Sequence, residues 1–167
     1  MSAGSRDLDQ LDRVGGLPPR WMRLAVLVLA VCGLGVSVYL TFEHYSASAT
    51  LACPDTGRIN CVKVTSSAYS TLLGVPVAVL GLAFFLTLVP MSLPWAWAAG
   101  EPLVHRVRLA MVSVGLLFVL YLVWAELFAI HAICLWCTSV HVITALVFVL
   151  VVFAEALRLP PSPARGP

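Results

Sequence analysis

Ile133-Cys134-Leu135-Trp136-Cys137-Thr138 stands at the head of a long apolar run that ends near Ala154, so a Cys-x-x-Cys pair meets the start of a membrane-length helix. At a helix N-terminus the unpaired backbone N–H groups and the macrodipole favour a thiolate, the species that attacks disulfides and electron-poor carbon. The stretch therefore reads as redox chemistry at a membrane face. Two other readings share its spacing: a pair of buried small hydrophobes, and half of a metal site.

Composition decides the solvent. Of 167 residues, 60% are hydrophobic and 11% charged, against about 45–50% and about 25% in soluble domains. This is an integral membrane protein of single-domain length. A formal charge of +2 gives no ground for a nucleic-acid partner, so only the placement of the charges informs.

Residues 1–20 are polar, with Gly and Pro between the charges, and read as a flexible tail. Leu24 to Phe42 is a run of 19 residues without a charge, close to the roughly 20 that span a bilayer. Trp21 and Tyr45 flank it as interfacial anchors, Cys32 lies deep within it as a packing residue, and Gly33 and Ser37 suit close helix contact. From Ser46 to Lys63 the chain turns polar, and Cys53 and Cys61 enclose seven residues rich in turn formers. Thr65 to Leu72 suits a short interfacial helix. A second membrane helix opens with Pro76 in its first turn and runs to about Pro90, and Trp95 and Trp97 follow at the headgroup level. A third run covers Leu109 to Ile130, and after a short link the fourth spans roughly Ala132 to Ala154. The expected fold is all-α: a polytopic four-transmembrane-helix bundle over residues 21–157, with an extracytoplasmic loop between helices one and two and tails at 1–20 and 158–167.

With four crossings both termini share one side. Arg6, Arg13, Arg20, Arg23, Arg106, Arg108, Arg158 and Arg165 then fall on that side, and Arg58 and Lys63 on the other. By the positive-inside rule the termini are cytoplasmic. Cys53, Cys61, Cys134 and Cys137 then gather at the extracytoplasmic, oxidising face of a plasma (inner) membrane. Two such pairs can relay electrons by thiol–disulfide exchange, the loop pair moving between a soluble thiol protein and Cys134 while Cys137, one turn deeper, faces the lipid phase where quinones dissolve. Static disulfides, and a metal site built from the four thiolates, are the competing readings. The seven-residue gap is wider than structural zinc sites use.

The loop pair, Ser66-Ser67, Leu73-Gly74-Val75-Pro76-Val77 and Cys134-Leu135-Trp136-Cys137, in that order, resemble the vitamin K epoxide reductase family, in its bacterial branch without a fused thioredoxin-like domain. Ser37-Val38-Tyr39-Leu40 and Tyr121 carry the same likeness, which spans about residues 21–155. The resemblance implies a bundle around a quinone, menaquinone or ubiquinone, that couples disulfide formation in secreted proteins to quinone reduction. It implies catalytic roles for Cys53, which meets a separate thioredoxin-like (DsbA-like) partner, for Cys61, which exchanges with Cys134, and for Cys137, beside the quinone. It places Ser67 near the active-site disulfide. His141 and Leu73 stand where vertebrate members carry a Tyr and an Asn that contact the quinone, and no resident metal is implied. The alternatives are a reductase acting on quinone or vitamin K epoxide for its own sake, and a cysteine-rich metal-binding membrane protein. One turn below Cys137, His141 is placed to donate a hydrogen bond to a quinone oxygen. Glu126 and His131, near a helix end, are expected at the interface.

Overall fold

The computed structural model describes residues 17–46, 53, 56–99 and 102–157. Residues 1–16, 47–52 and 158–167, with Pro54, Asp55, Gly100 and Glu101, lie outside the described residues, and with them four of the counted arginines (Arg6, Arg13, Arg158 and Arg165); Arg20, counted with the first tail, opens a helix.

The chain is an all-α membrane bundle. Helix α1 (Arg20–Tyr45) buries Met22, Val26, Ala30, Gly33, Ser37 and Leu40, a stripe at intervals of three and four that turns one helical face inward. After α2 (Cys61–Thr65), a 3-10 turn (Ala68–Ser70) leads into a two-residue hairpin of β1 (Thr71–Leu72) and β2 (Val75–Pro76). Helices α3 (Val77–Met91), α4 (Pro94–Ala98) and α5 (Pro102–Trp124) follow, and α5 continues as a π-helical segment, Ala125–Ile130. The last helix is α6 (Leu135–Ala156). Helices α1, α5 with its π segment, and α6 are long and apolar enough to cross a membrane. With 15 residues, α3 is only about 22 Å long at 1.5 Å per residue.

Helix α1 packs against α3 and α6, and α6 against α5. The α1–α3 contact is close because it uses small residues: a Cβ on Gly33 would drive into the Phe85 ring, and one on Gly81 would meet Ser37 Oγ at 3.4 Å. Phe85, Leu88, Val112, Val147 and Val151 fill the core beside this seam.

Several expectations shift. The short helix begins at Cys61 rather than Thr65, because Asn60 caps it by accepting the Lys63 N–H at 2.8 Å. It stops at Thr65, where the hydroxyls of Thr65, Ser66 and Ser67 take up carbonyls of its own turn, the competition that makes such residues poor helix continuers. Pro76 ends a strand, paired with Thr71, instead of occupying the first turn of α3. The hairpin turn needs positive φ at both central residues, Leu73 (51°) and Gly74 (82°), the arrangement whose twist matches paired strands. Helix α6 starts at Leu135, so Cys134 is its N-cap and not a helical residue.

Cys32 is exposed on the outward face of α1 and does not pack between helices. Trp95 is exposed, but Trp97 is fully buried and leaves the interface to Trp95. The reason is Arg108, which is itself 0% exposed and stacks its guanidinium 3.4 Å from the Trp97 ring centroid. Arg108 also donates to Met91 O (3.0 Å), to Glu155 Oε1 (2.6 Å) and to His105 Nδ1 (2.9 Å). These bonds tie α3, α5 and α6 together at the end of the bundle opposite the cysteines.

Candidate redox site and cavity

Cys53 and Cys61 form a disulfide, with Cα atoms 6.1 Å apart. Its place in the bundle is set by backbone pairing. Ile59 and Ile133 make an isolated parallel bridge, in which Ile133 N–H donates to Arg58 O (2.8 Å) and Asn60 N–H to Ile133 O (3.1 Å). The residues bonded together directly precede Cys61 on one side and Cys134 on the other. Cys61 and Cys134 therefore share one small buried cluster with Val64, Ile130 and Ala132, and Cys53, Tyr69, Trp136 and Cys137 pack against it. Tyr39 of α1 holds Trp136 from the far side, ring centroids 4.8 Å apart.

Cys134 caps α6 with its own sulfur: Cys137 N–H donates to Cys134 Sγ at 3.3 Å, the N-cap geometry usually supplied by an oxygen. A side-chain hydrogen bond from Cys137, helped by the backbone N–H groups of Cys137 and Trp136, outweighs burial and holds the Cys134 thiol down to about 7. Thiolate is the attacking species, so a lowered value keeps Cys134 reactive at neutral pH and silences it in acid. Alkylation of Cys134 in the reduced protein should be half-maximal near pH 7 and fall about tenfold per unit below pH 6. Site-resolved mass spectrometry of iodoacetamide-treated protein measures this, and a midpoint in the ordinary thiol range of about 8.5 would contradict it.

Cys137 also borders a cavity of about 930 Å³ between α1, α3, α5 and α6. Its lining is predominantly apolar, with Leu40, Phe84, Phe85, Met111, Phe118 and Val140 among the walls. Its polar lining includes Ser67, Glu126 and Cys137 at the cysteine end, His141 one turn below Cys137, Thr144 two turns below, and Ser37 of α1. Thr144 spends its hydroxyl on Val140 O (2.9 Å) and Ser67 on Val64 O (2.7 Å). His141 is 6% exposed, and its Nδ1 is buried with no hydrogen-bond partner among the described residues. A buried nitrogen in that state is open to a partner from outside the chain, a water or a ligand. A large apolar cavity with a few polar groups at one end is also the usual form of a small-molecule site. These residues fit a quinone: flat apolar walls for the ring and tail, His141 for a carbonyl oxygen.

Of the residues singled out by sequence, Cys61 and Cys134 are brought together, Cys53 joins them through its disulfide, and Cys137, His141 and Ser67 line the cavity. Leu73 does not join them: it is 98% exposed at the hairpin turn, and the lining residue there is Leu72. His131 is exposed, in a left-handed conformation (φ 53°). Glu126, expected at the interface, is instead 6% exposed and turned into the cavity. A signal for it existed, since it is the one charge in the run Leu109 to Ile130 and an ionisable residue inside a membrane is functional by default. Among the described residues no group of three or more His, Cys, Asp or Glu side chains is placed to hold a metal.

Fold and site together define a membrane bundle that carries a disulfide against a Cys-x-x-Cys pair at the mouth of an apolar cavity. The chain belongs to the vitamin K epoxide reductase family, matching it over residues 24–152. It is thus a membrane oxidoreductase of the class that links thiol–disulfide chemistry to quinones.

Proposed function

We propose that the protein regenerates disulfides in an extracytoplasmic thioredoxin-like thiol protein and passes the electrons to the membrane quinone pool, menaquinone or ubiquinone. A thiol of the reduced partner attacks Cys53 and breaks the Cys53–Cys61 bond, and the partner's second thiol then displaces Cys53, so the partner leaves as a disulfide and the loop pair as thiols. Cys61 then exchanges with Cys134 of the oxidised Cys134–Cys137 pair, so that the loop is reoxidised and the two helix thiols are reduced. A quinone bound beside Cys137 supplies the two-electron, two-proton sink that returns this pair to a disulfide. His141 orients that ligand, and Ser67 borders the exchange site.

The observation that carries this reading is the Ile59–Ile133 bridge, which packs Cys61 and Cys134 in one cluster while Cys137 opens onto the cavity. Orientation rests on the charges: Arg20, Arg23, Arg106 and Arg108 belong to the helix ends away from the cysteines, Arg58 and Lys63 to the cysteine end. In this reading the termini and both tails are cytoplasmic and the membrane is the plasma (inner) membrane. Reduced thioredoxin-like protein added to sealed right-side-out vesicles should drive quinone reduction, and inside-out vesicles should not respond. Failure in both overturns the function; response in inside-out vesicles alone overturns the orientation.

His141→Leu should raise the quinone KM about tenfold, the equivalent of one hydrogen bond, while exchange between the cysteine pairs proceeds at the parent rate. An unchanged KM would make His141 a packing residue.

A further inference from the structure

Glu126 is a buried carboxyl with no part in the thiol relay itself. It sits on the π-helical segment Ala125–Ile130, a rare geometry that often marks functional positions. The backbone around it is fixed: Glu126 O accepts the N–H groups of both His131 and Ala132, which turns the chain sharply towards Cys134. The carboxyl interacts with the Cys134 backbone N–H and lies within electrostatic reach of the Cys134 and Cys137 thiols. It opens onto the cavity that Cys137 lines. The other titratable groups on that cavity are Glu43 and His44 of α1, Tyr69 of the 3-10 turn and His141 of α6.

Thiol-pair oxidation has a proton problem. When Cys134 and Cys137 join, two S–H bonds are lost, one S–S bond forms, and two electrons and two protons must leave. Cys134 gives up its proton readily at neutral pH because the Cys137 side chain and the helix N-terminus hold its thiolate. Cys137, half-buried on the wall of an apolar cavity, needs a base for its own proton.

We propose that Glu126 is the proton-carrying residue of the thiol pair. The Cys137 proton passes to the Glu126 carboxylate as Cys137 Sγ bonds to Cys134 Sγ and the pair gives up its two electrons. In the opening exchange, when Cys61 attacks Cys134 and displaces Cys137, Glu126 returns a proton to the leaving sulfur. The electrons go to the quinone-class acceptor of the proposed function, on which this inference rests, and the proton moves into the cavity.

The step can be isolated without quinone. In full-length protein carrying Cys53→Ser and Cys61→Ser, reduced and held in quinone-free micelles, dithiodipyridine reports two phases. In the first, Cys134 attacks the reagent, forming a mixed disulfide and releasing one thiopyridone. In the second, Cys137 attacks the Cys134 sulfur, the protein disulfide forms, and a second thiopyridone leaves with the electron pair. Glu126→Gln should slow the second phase about a hundredfold, the usual scale of general base catalysis, without slowing the first. Glu126→Asp should restore most of the rate, and the wild-type second phase should slow in deuterium oxide.

Equal second phases in wild type and Glu126→Gln overturn the proposal, as does slowing by His141→Leu in place of Glu126→Gln. If the Gln variant does not fold, the reduced-minus-oxidised infrared spectrum of the wild type decides. It should contain a carboxyl C=O band that survives in Glu43→Gln; its absence overturns the proposal. Failure of the underlying function looks different: the wild-type pair would close normally with dithiodipyridine, yet no quinone would be reduced by a thiol donor.

Discussion

In Cys137→Ala, a disulfide between Cys61 and Cys134 is expected to accumulate and donor-driven quinone reduction to stop. Thiol–disulfide exchange proceeds through a mixed disulfide that a second thiol must resolve. Cys134 keeps the backbone N–H groups of residues 136 and 137 when the Cys137 side chain is gone, and it shares a buried cluster with Cys61, so attack on Cys61 needs no rearrangement of the bundle. The released thiol is Cys53. Without Cys137 only the return of Cys53 to Cys61 can open the Cys61–Cys134 bond, and while that bond stands Cys53 is left to capture the external partner as a DTT-sensitive adduct on non-reducing gels. Cys134→Ala should give no internal bond, because Cys137 is on the cavity wall one turn further in. Peptide mapping distinguishes the outcomes. Cys53 still paired with Cys61 in Cys137→Ala, with no trapped partner, makes the loop disulfide structural and ends the relay proposal.

The parts of this protein that follow from hydrophobic run length and charge count are legible in the sequence: a helical membrane bundle, a thiol pair at the head of the last helix, and a second pair in a polar loop. What is not legible depends on which way a side chain turns and on tertiary contacts. Run length says nothing about helical phase, so Cys32 is expected to pack inside and faces out, while Glu126 is expected at the membrane interface and faces the cavity. The hairpin at Thr71–Pro76 is hidden because its turn uses Leu73 at φ 51°, where sequence rules look for Gly or Asn. The start of α6 is displaced from its expected place because sulfur is an unusual N-cap, and a cysteine gives no capping signal. The link between the two cysteine pairs, a single bridge between Ile59 and Ile133, has no local pattern at all. It joins residues 74 apart, and only the folded bundle makes them neighbours.

Arg108→Leu is expected to cost about 3–5 kcal/mol of stability, the usual loss when one member of a buried ion pair is removed. Charge counting along the chain assigns Arg108 to the basic flank of a helix, one charge among several. In the folded bundle its role is different. Fully buried, it bonds the Met91 carbonyl at the end of α3, the Glu155 carboxylate of α6 and the His105 ring, with Trp97 of α4 across its flat face. The His105 ring is oriented in turn by the Ala99 carbonyl, 2.9 Å from Nε2, so Nε2 carries the hydrogen and Nδ1 accepts from Arg108. Lysine cannot reproduce this set, because a point ammonium lacks the planar fork and the stacking face, so Arg108→Lys should recover only part of the loss. Arg108→Leu combined with Glu155→Leu should recover more, since it removes the carboxylate that would otherwise keep its charge without the guanidinium. Thermal unfolding in a single detergent compares the four proteins. The redox end of the bundle should be untouched at low temperature, with the Cys53–Cys61 disulfide formed and Cys134 alkylated at the parent rate. A single Arg108→Leu as stable as the parent, or a double variant worse than the single, would show that the pair contributes nothing to holding α3, α5 and α6 together.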